Sequence, residues 1–289
     1  MFKFKKIYHF YESKNSFSPI ILSSPHSGRF YPKNFIDLLN IDLKDVRVFE
    51  DCYVDKIYNF GPSIGCNLLI SNIPRVIIDL NRSTKEVDRE MFFNIQNISS
   101  QMNRRVASGI GIFPKLRGED YIYKEKLNWL VFKNLIDDVY NVWHSKLEKE
   151  IHEIKTIFSE IAIVDCHSMP SFDLNGKKIE NLPEFVVGDL WGKSSKKEIT
   201  QFIVNFLRNE GFTVSNNLPY AGAYILEKYG KPQKGINAVQ IEIRKDLYLD
   251  EERLILKKSH NKIKRVLQNM IFNLSELIID KNIYQKSAE

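Results

Sequence analysis

Residues 161–170, IAIVDCHSMP, place four apolar residues directly before Asp165, Cys166, His167 and Ser168. A short apolar run that is bounded by a proline is typical of a buried strand. In α/β proteins, ligands bind where such strands leave the sheet. Because side chains alternate along a strand, we expect Asp165 and His167 on one face and Cys166 on the other. A single histidine in this position is more often packed in the core than a ligand, so a functional role requires partners elsewhere in the chain.

Length and composition are those of a globular protein with a large core. The chain has 289 residues, of which 43% are apolar and 12% aromatic, and this excludes a disordered or collagen-like chain. The net charge is +6, but acidic and basic residues are interspersed and basic runs such as residues 3–6 are short. We therefore expect no nucleic-acid partner, whereas a mild positive field suits a small anionic substrate.

Cysteine content and hydropathy predict the cellular compartment of the protein. Three cysteines (Cys52, Cys66 and Cys166) cannot form a disulfide framework, and no C-x-x-C pair is present. The first 15 residues lack the apolar core of a signal peptide, and no run of 18 apolar residues occurs. The prediction is a reduced, cytoplasmic protein without a membrane segment.

Strand-like and helix-like segments alternate along the chain. Strands are predicted at residues 20–22, 67–70, 76–78, 161–164, 185–187, 212–214 and 238–243, and helices at 49–60, 124–155, 196–207 and 250–277. This alternation indicates an α/β sandwich. Since no linker or internal repeat separates the segments, the simplest interpretation is one domain over residues 1–289.

Four polar clusters each follow a short apolar run: His26; Asp79, Asn81 and Arg82; Asp165 and His167; and Gln240, Glu242 and Arg244. Two histidines and one carboxylate, with a position left open, are the ligands of a catalytic zinc site. Acidic residues at positions 50 and 51 supply candidate carboxylates. Because the spacings are long, the residues alone make this a hypothesis.

Other interpretations of the same residues are possible. A serine triad would use Ser27 or Ser168 with His167, but the chain has no G-x-S-x-G elbow. Cys166 is a poor nucleophile for His167 because strand neighbours face opposite ways. Glu242 and Arg244 share a strand face, and a structural ion pair between them is as plausible as a functional role.

Six motifs, in this order, resemble those of the N-formylglutamate amidohydrolase family. They are SSPHSG (23–28), EDCYVDKIY (50–58), RVIIDLNRS (75–83), DCHSMP (165–170), NLPYAGAYILEKYG (217–230) and AVQIEIRKDLYLDE (238–251). The family is in turn similar to zinc carboxypeptidases and aspartoacylase-like deacylases. The resemblance implies a three-layer αβα sandwich around a mixed, mostly parallel sheet.

The resemblance also implies the centre of the site. His26, His167 and Asp51 would bind one Zn²⁺ per chain, with Glu50 as the alternative to Asp51. Glu242 would be the general base, which takes a proton from the attacking water and returns it to the leaving amine.

Further roles follow from the same resemblance. Arg75 would polarise the carbonyl group of the amide that is cleaved, and Asn81 and Arg82 would bind the α-carboxylate of the substrate. Tyr220 and Tyr224 would close over the bound substrate. Arg244, Arg117 and Lys124 are candidates for a second carboxylate of the substrate. Asp165 would orient the metal site from behind His167.

The implied activity is zinc-dependent hydrolysis of N-formyl-L-glutamate, or a close N-formyl amino acid, to formate and the amino acid. Histidine degradation is the implied setting, with no obligate protein partner. The enzymatic alternative is an N-acyl amino acid deacylase or a carboxypeptidase-like peptidase of the same fold. A third possibility is a binding protein that has lost catalysis.

Overall fold

The structure is a computed structural model that describes residues 2–13, 17–95, 98–173 and 176–286, with side chains as far as residue 280. The strands are β1 (Tyr8–Tyr11), β2 (Ile20–Ser24), β3 (Asn67–Ser71), β4 (Phe92–Phe93), β5 (Leu116–Arg117), β6 (Asp120–Tyr121), β7 (Leu127–Asn128), β8 (Ile161–Met169), β9 (Phe185–Gly188), β10 (Val214–Asn216), β11 (Ile236–Arg244), β12 (Leu249–Asp250) and β13 (Ile255–Leu256). The helices are α1 (Lys33–Ile36), α2 (Leu43–Val46), α3 (Val54–Ile57), α4 (Arg104–Ala107), α5 (Trp129–Leu135), α6 (Asn141–Ile157), α7 (Lys197–Asn209), α8 (Tyr224–Tyr229) and α9 (His260–Lys286).

The main sheet has seven strands in the order β1-β3-β2-β8-β11-β9-β10. Strands β2, β8 and β11 run parallel to one another, and β9 is antiparallel to β11 but parallel to β10. The predicted α/β class with a mixed, mostly parallel sheet is confirmed. The carboxyl ends of β2, β8 and β11 therefore lie at one edge of the sheet, where polar residues follow all three strands.

Strand β8 is buried along its whole length because it has a partner on both sides. Its first half is apolar and mostly β-branched, as a strand with two covered faces requires. The polar second half is equally buried, although Asp165, His167 and Ser168 belong to types that rarely lie inside a protein. Burial of such groups requires hydrogen-bond partners.

The chain divides into two compact units, each built from several segments. One comprises residues 1–9, 25–51 and 70–147, and the other comprises residues 10–24, 52–69 and 148–289. The single domain over residues 1–289 stays a prediction.

The core of the first unit is a cluster of aromatic side chains. Phe132 lies at its centre, with ring centroids 5.2 Å from Phe113, 5.5 Å from Phe92 and 5.7 Å from Phe2. The Phe113 and Phe2 contacts are edge-to-face, the arrangement that aromatic quadrupoles favour. This core supports the long irregular stretches that carry several predicted site residues.

The second unit contains the central strands and two amphipathic helices. In α9, buried residues recur at three- and four-residue steps, as a helix with one apolar face requires; they are Ile263, Val266, Leu267, Met270, Ile271, Leu274 and Ile278. Helix α7 buries Ile199, Ile203 and Leu207 in the same way. Among the described residues, none of the helices combines the length and apolar character needed to cross a bilayer.

Several predicted elements are shorter than expected or wrong. Residues 76–78 are buried but form no strand, since Ile77 N donates to Pro74 O in a turn (2.9 Å). The helix predicted at residues 49–60 reduces to α3, because Tyr53 at its start is left-handed (φ 63°).

The two long helices start later than predicted. Helix α5 begins at Trp129, where the side chain of Asn128 accepts a hydrogen bond from Leu130 N. It continues through a π-helical turn (Ile136–Tyr140) into α6. Helix α9 begins at His260 because β12 and β13 occupy part of the segment before it.

Candidate active site

His26 lies directly after β2, in a turn that a close backbone contact holds in place. A Cβ atom on Gly28 would lie 2.3 Å from the carbonyl of Ile73, so only glycine fits there. The His26 ring is buried, with Nε2 2.7 Å from Asp79 Oδ1 and Nδ1 3.4 Å from Asp51 Oδ2. The imidazole thus lies between two buried carboxylates.

Asp79 connects the first histidine to the predicted substrate residues. It accepts hydrogen bonds from Arg75 Nε (2.7 Å) and Asn81 N (2.8 Å) as well as from His26. Burial acts to raise the pKa of the Asp79 carboxyl, but the charges of Arg75, His26 and Arg82 hold it well below its usual range. The carboxyl is therefore ionised at neutral pH, and His26 Nε2 is the donor.

Sequence reasoning placed Asp79 in a polar cluster but gave it no role. Its position two residues before Asn81, in a segment expected to be a strand, concealed the turn that directs it toward His26. Aspartate side chains often accept a hydrogen bond from the backbone N–H two residues later, which forms an Asx-turn. This preference of aspartate was the only signal for the turn in the sequence.

Replacement Asp79→Asn is expected to lower the free energy of unfolding by about 3–5 kcal/mol at pH 7, because it leaves the buried Arg82 and the partly buried Arg75 without their carboxylate. A depressed folded pKa stabilises the fold above the unfolded pKa of about 3.9, and this stabilisation is lost as the pH falls further. Denaturant titrations of both proteins from pH 7 to 3.5 should show a difference that is constant above pH 5 and shrinks below pH 4. A difference that grows in acid would contradict this assignment.

Arg82 is held largely by backbone carbonyl groups. Its Nη1 donates to Asn81 O (3.0 Å) and its Nε donates to Ile110 O (3.1 Å). The backbone carbonyl of Arg82 accepts a hydrogen bond from Tyr140 OH (2.8 Å). Burial lowers the pKa of Arg82 to about 10, with Asp79 acting in the opposite direction. Arg82 remains a fixed cation at neutral pH.

His167 lies near the end of β8 with its predicted partner beside it. Its Nε2 is 2.8 Å from Asp165 Oδ2 on the same strand face, and Asp165 Oδ1 accepts from Ser23 Oγ of β2 (3.3 Å). The predicted pairing of Asp165 with His167 is therefore present. Both histidines have the same arrangement, with Nε2 against a buried carboxylate.

Glu242 lies beside His167 on the neighbouring strand. The two residues are paired in the parallel register of β8 and β11, so their side chains share one face of the sheet. Glu242 is buried, and its Oε1 accepts a hydrogen bond from Gln240 Nε2 (2.9 Å). A buried carboxylate next to a histidine at a strand end is suited to proton transfer.

A group of potential metal ligands is formed by His26, Asp51 and His167. All three are buried, and one ligand atom of each lies within 4.8 Å of those of the other two. This group could hold a metal ion. The alternative carboxylate, Glu50, instead accepts hydrogen bonds from Arg47 (2.9 Å) and Tyr31 (2.8 Å).

The loop with Tyr220 and Tyr224 lies on the sheet face that carries Glu242. Gly188 of β9 is paired with Gln240, and a Cβ on Gly188 would lie 2.7 Å from the backbone of Ala221. Because paired residues project to the same face, Ala221 covers that face. Tyr220 is 39% exposed, and Tyr224 begins α8.

The three candidate cations for a second carboxylate already have partners. Arg244 donates from Nε to Asp246 (2.7 Å) and from Nη1 to Leu182 O (2.7 Å). Arg117 Nη2 is 3.3 Å from Asp45 Oδ1, and Lys124 Nζ donates to the carbonyl of Asp37 (2.9 Å). Arg244 also lines a cavity of about 940 Å³ together with Lys177 and Lys178.

The alternative nucleophiles are occupied elsewhere. Cys166 is buried and donates to Val164 O (3.3 Å), and burial raises the pKa of its thiol. Ser27 Oγ donates to the carbonyl of Asp51 (3.4 Å). The structural alternative for Glu242 is also disfavoured, since Arg244 pairs with Asp246.

A mixed sheet with a histidine–aspartate pair and a buried glutamate on its central strands is an arrangement suited to a hydrolase with an α/β fold. A sequence model of the N-formylglutamate amidohydrolase family matches residues 18–249. The chain belongs to this family, and it is an amide hydrolase.

Individual relatives agree with the family match. The chain is 24% identical over 244 residues to an N-formylglutamate deformylase of Pseudomonas putida, a match that covers 81% of this chain and 82% of the relative. A deformylase of the same name from Pseudomonas aeruginosa is 22% identical over a similar span. The crystal structure of an N-formylglutamate amidohydrolase from Ralstonia eutropha JMP134 superposes with a TM-score of 0.89 and 25% identity, and covers 95% of this chain and 99% of that one.

Proposed function

We propose that this protein is a zinc-dependent enzyme that hydrolyses N-formyl-L-glutamate to formate and glutamate. The observation that carries the proposal is the buried group His26, Asp51 and His167, in which each histidine has Nε2 against a carboxylate. Family membership supports the substrate. The same resemblance supports a cytoplasmic protein in histidine degradation that works as one catalytic domain over residues 1–289.

The residues present fit a zinc ion. With Nε2 of each histidine donating to a carboxylate, Nδ1 of the neutral ring becomes the acceptor that a metal requires, the arrangement seen behind many metal-binding histidines. Neighbouring ligand atoms in a tetrahedral zinc site with bonds of about 2.1 Å lie about 3.4 Å apart. His26 Nδ1 and Asp51 Oδ2 are 3.4 Å apart.

Zinc, when bound, lowers the pKa of a coordinated water from 15.7 to about 7. Glu242 accepts the proton of the attacking water and delivers it to the amide nitrogen, which converts that nitrogen into a leaving amine. The bond from Gln240 holds the Glu242 carboxylate in a fixed orientation for both transfers. Proton transfer of this kind typically contributes about 10²–10⁴ in rate.

The arginines supply the charge that an anionic substrate needs. Arg75 is partly exposed, and its Nε is held by Asp79. Its guanidinium group polarises the formyl carbonyl of the bound substrate. Arg82 and Asn81 bind the α-carboxylate. Tyr220 and Tyr224 close over the bound substrate, and Arg244 contributes to the subsite for the side-chain carboxylate while it shares its charge with Asp246.

Formate release from a panel of N-formyl and N-acetyl amino acids tests the substrate. We expect the highest kcat/KM for N-formyl-L-glutamate, lower values for N-formyl amino acids with uncharged side chains, and little turnover of N-acetyl-L-glutamate. Preference for N-acetyl substrates would favour an N-acyl amino acid deacylase. Turnover of no N-formyl substrate would overturn the proposal.

A further inference from the structure

Gln240 has an unusual environment for a buried side chain. It is 4% exposed, and its amide nitrogen donates to Glu242, but its Oε1 is buried without a hydrogen-bond partner among the described residues. Buried acceptors of this kind are uncommon in folded proteins, and catalysis is one reason for their retention.

The chemistry of its neighbour fixes the orientation of the amide. An ionised Glu242 can only accept hydrogen bonds, so Nε2 must face it and Oε1 must point away. Rotating the amide by 180° would place two oxygen acceptors against each other. The buried acceptor is therefore a consequence of Glu242 and does not depend on how the amide was assigned.

The surroundings place this acceptor on the reactive face of the sheet. Gln240 shares a strand face with Glu242 and is paired with Asp165 of β8, one step below the pairing of Glu242 with His167. On its other side it is paired with Gly188, which contributes no side chain. Gln240 thus lies in the middle of β11, on the strand face of the general base and two residues before it.

We propose that Gln240 Oε1 accepts a hydrogen bond from the scissile amide N–H of the substrate. N-formylglutamate at neutral pH carries two carboxylates and one carbonyl oxygen, all of which are acceptors, and a single N–H donor. The only substrate group that can satisfy a buried acceptor is therefore the amide that is cleaved. This inference rests on the proposed function.

One side chain would then align both partners of the proton transfer. Gln240 Nε2 holds Glu242, and Gln240 Oε1 holds the amide hydrogen. When water adds to the formyl carbon, the nitrogen becomes pyramidal, and its remaining lone pair is turned toward Glu242. The proton taken from water moves to that lone pair, the C–N bond breaks, and its electrons leave with the amine.

The test compares N-formyl-L-glutamate with its ester analogue, 2-(formyloxy)glutarate, in which oxygen replaces the N–H group. We expect Gln240→Met to lower kcat/KM for the amide by about 10- to 100-fold more than for the ester, the range for a lost hydrogen bond in a buried site. Because an amine must be protonated to leave and an alkoxide needs less assistance, a disturbed Glu242 would also lower the amide value more. The pH dependence of kcat for the amide, which reports Glu242, is therefore expected to be the same in Gln240→Met as in the wild-type protein. Gln201→Met, on the exposed face of α7, is the matched control and should change neither value.

Each outcome is decisive for a different statement. An equal loss for amide and ester would overturn the role of Oε1, whereas failure of the wild-type protein to release formate from the amide would overturn the proposed function. Circular dichroism establishes that each variant is folded. If Gln240→Met does not fold, the same comparison of amide and ester is made with Gln240→Asn, in which the amide group is drawn back by one methylene. The same larger loss for the amide is expected.

Discussion

The variant Glu242→Gln is expected to lose turnover and to keep its metal. The change removes the proposed proton acceptor beside His167 but preserves the size of the side chain and its place in the strand. Loss of general acid–base catalysis typically lowers kcat by about 10²–10⁴. Formate release and elemental analysis of the same preparation measure the two quantities together.

A matched control for this change is Glu252→Gln, which makes the same substitution on an exposed turn. We expect wild-type turnover and metal content from it. Activity retained by Glu242→Gln would remove Glu242 from the mechanism. Loss of metal by the same variant would instead make Glu242 part of the metal site.

The variant His167→Ala is expected to lose both metal and turnover. It removes one of the three buried residues proposed to bind zinc and leaves the Asp165 carboxylate without the imidazole that lies 2.8 Å away. Formate release should fall to background, and zinc should fall well below one ion per chain. Because a buried carboxylate loses its partner, thermal unfolding should also occur at a lower temperature.

His152→Ala is the corresponding control, since His152 is exposed on α6. It should bind zinc and turn over substrate as the wild-type protein does. If His167→Ala retains a full complement of tightly bound metal, the ligand group is wrongly assigned. Rescue of metal binding in that variant by added imidazole would support the assignment.

Sequence patterns predicted the central strands well because two physical requirements coincide there. Strands β8 and β11 are long and mostly apolar, and most of their polar residues lie from the fifth position onward. Alternation along β8 also predicted correctly that Asp165 and His167 share a face. The resemblance of six ordered motifs to one family then predicted the site residues, which spacing alone left open.

Elements whose conformation depends on distant side chains were predicted poorly. Residues 76–78 are apolar and β-branched, yet they form a turn, because Asp79 next to them is fixed by His26 and Arg75. The contact between His26 and Asp79 joins residues 53 positions apart and leaves no local pattern. The same reason explains why Asp79 received no role. The buried acceptor of Gln240 became visible only in the structure because burial of a single side-chain atom leaves no sequence pattern.

Removal and restoration of metal test the central claim most directly. Purified wild-type protein is dialysed against a chelator, assayed for formate release from N-formyl-L-glutamate, and then titrated with Zn²⁺. We predict that turnover disappears with the metal and returns in full at about one equivalent of zinc per chain, as a site with three protein ligands requires. Undiminished turnover by metal-free protein would contradict the account.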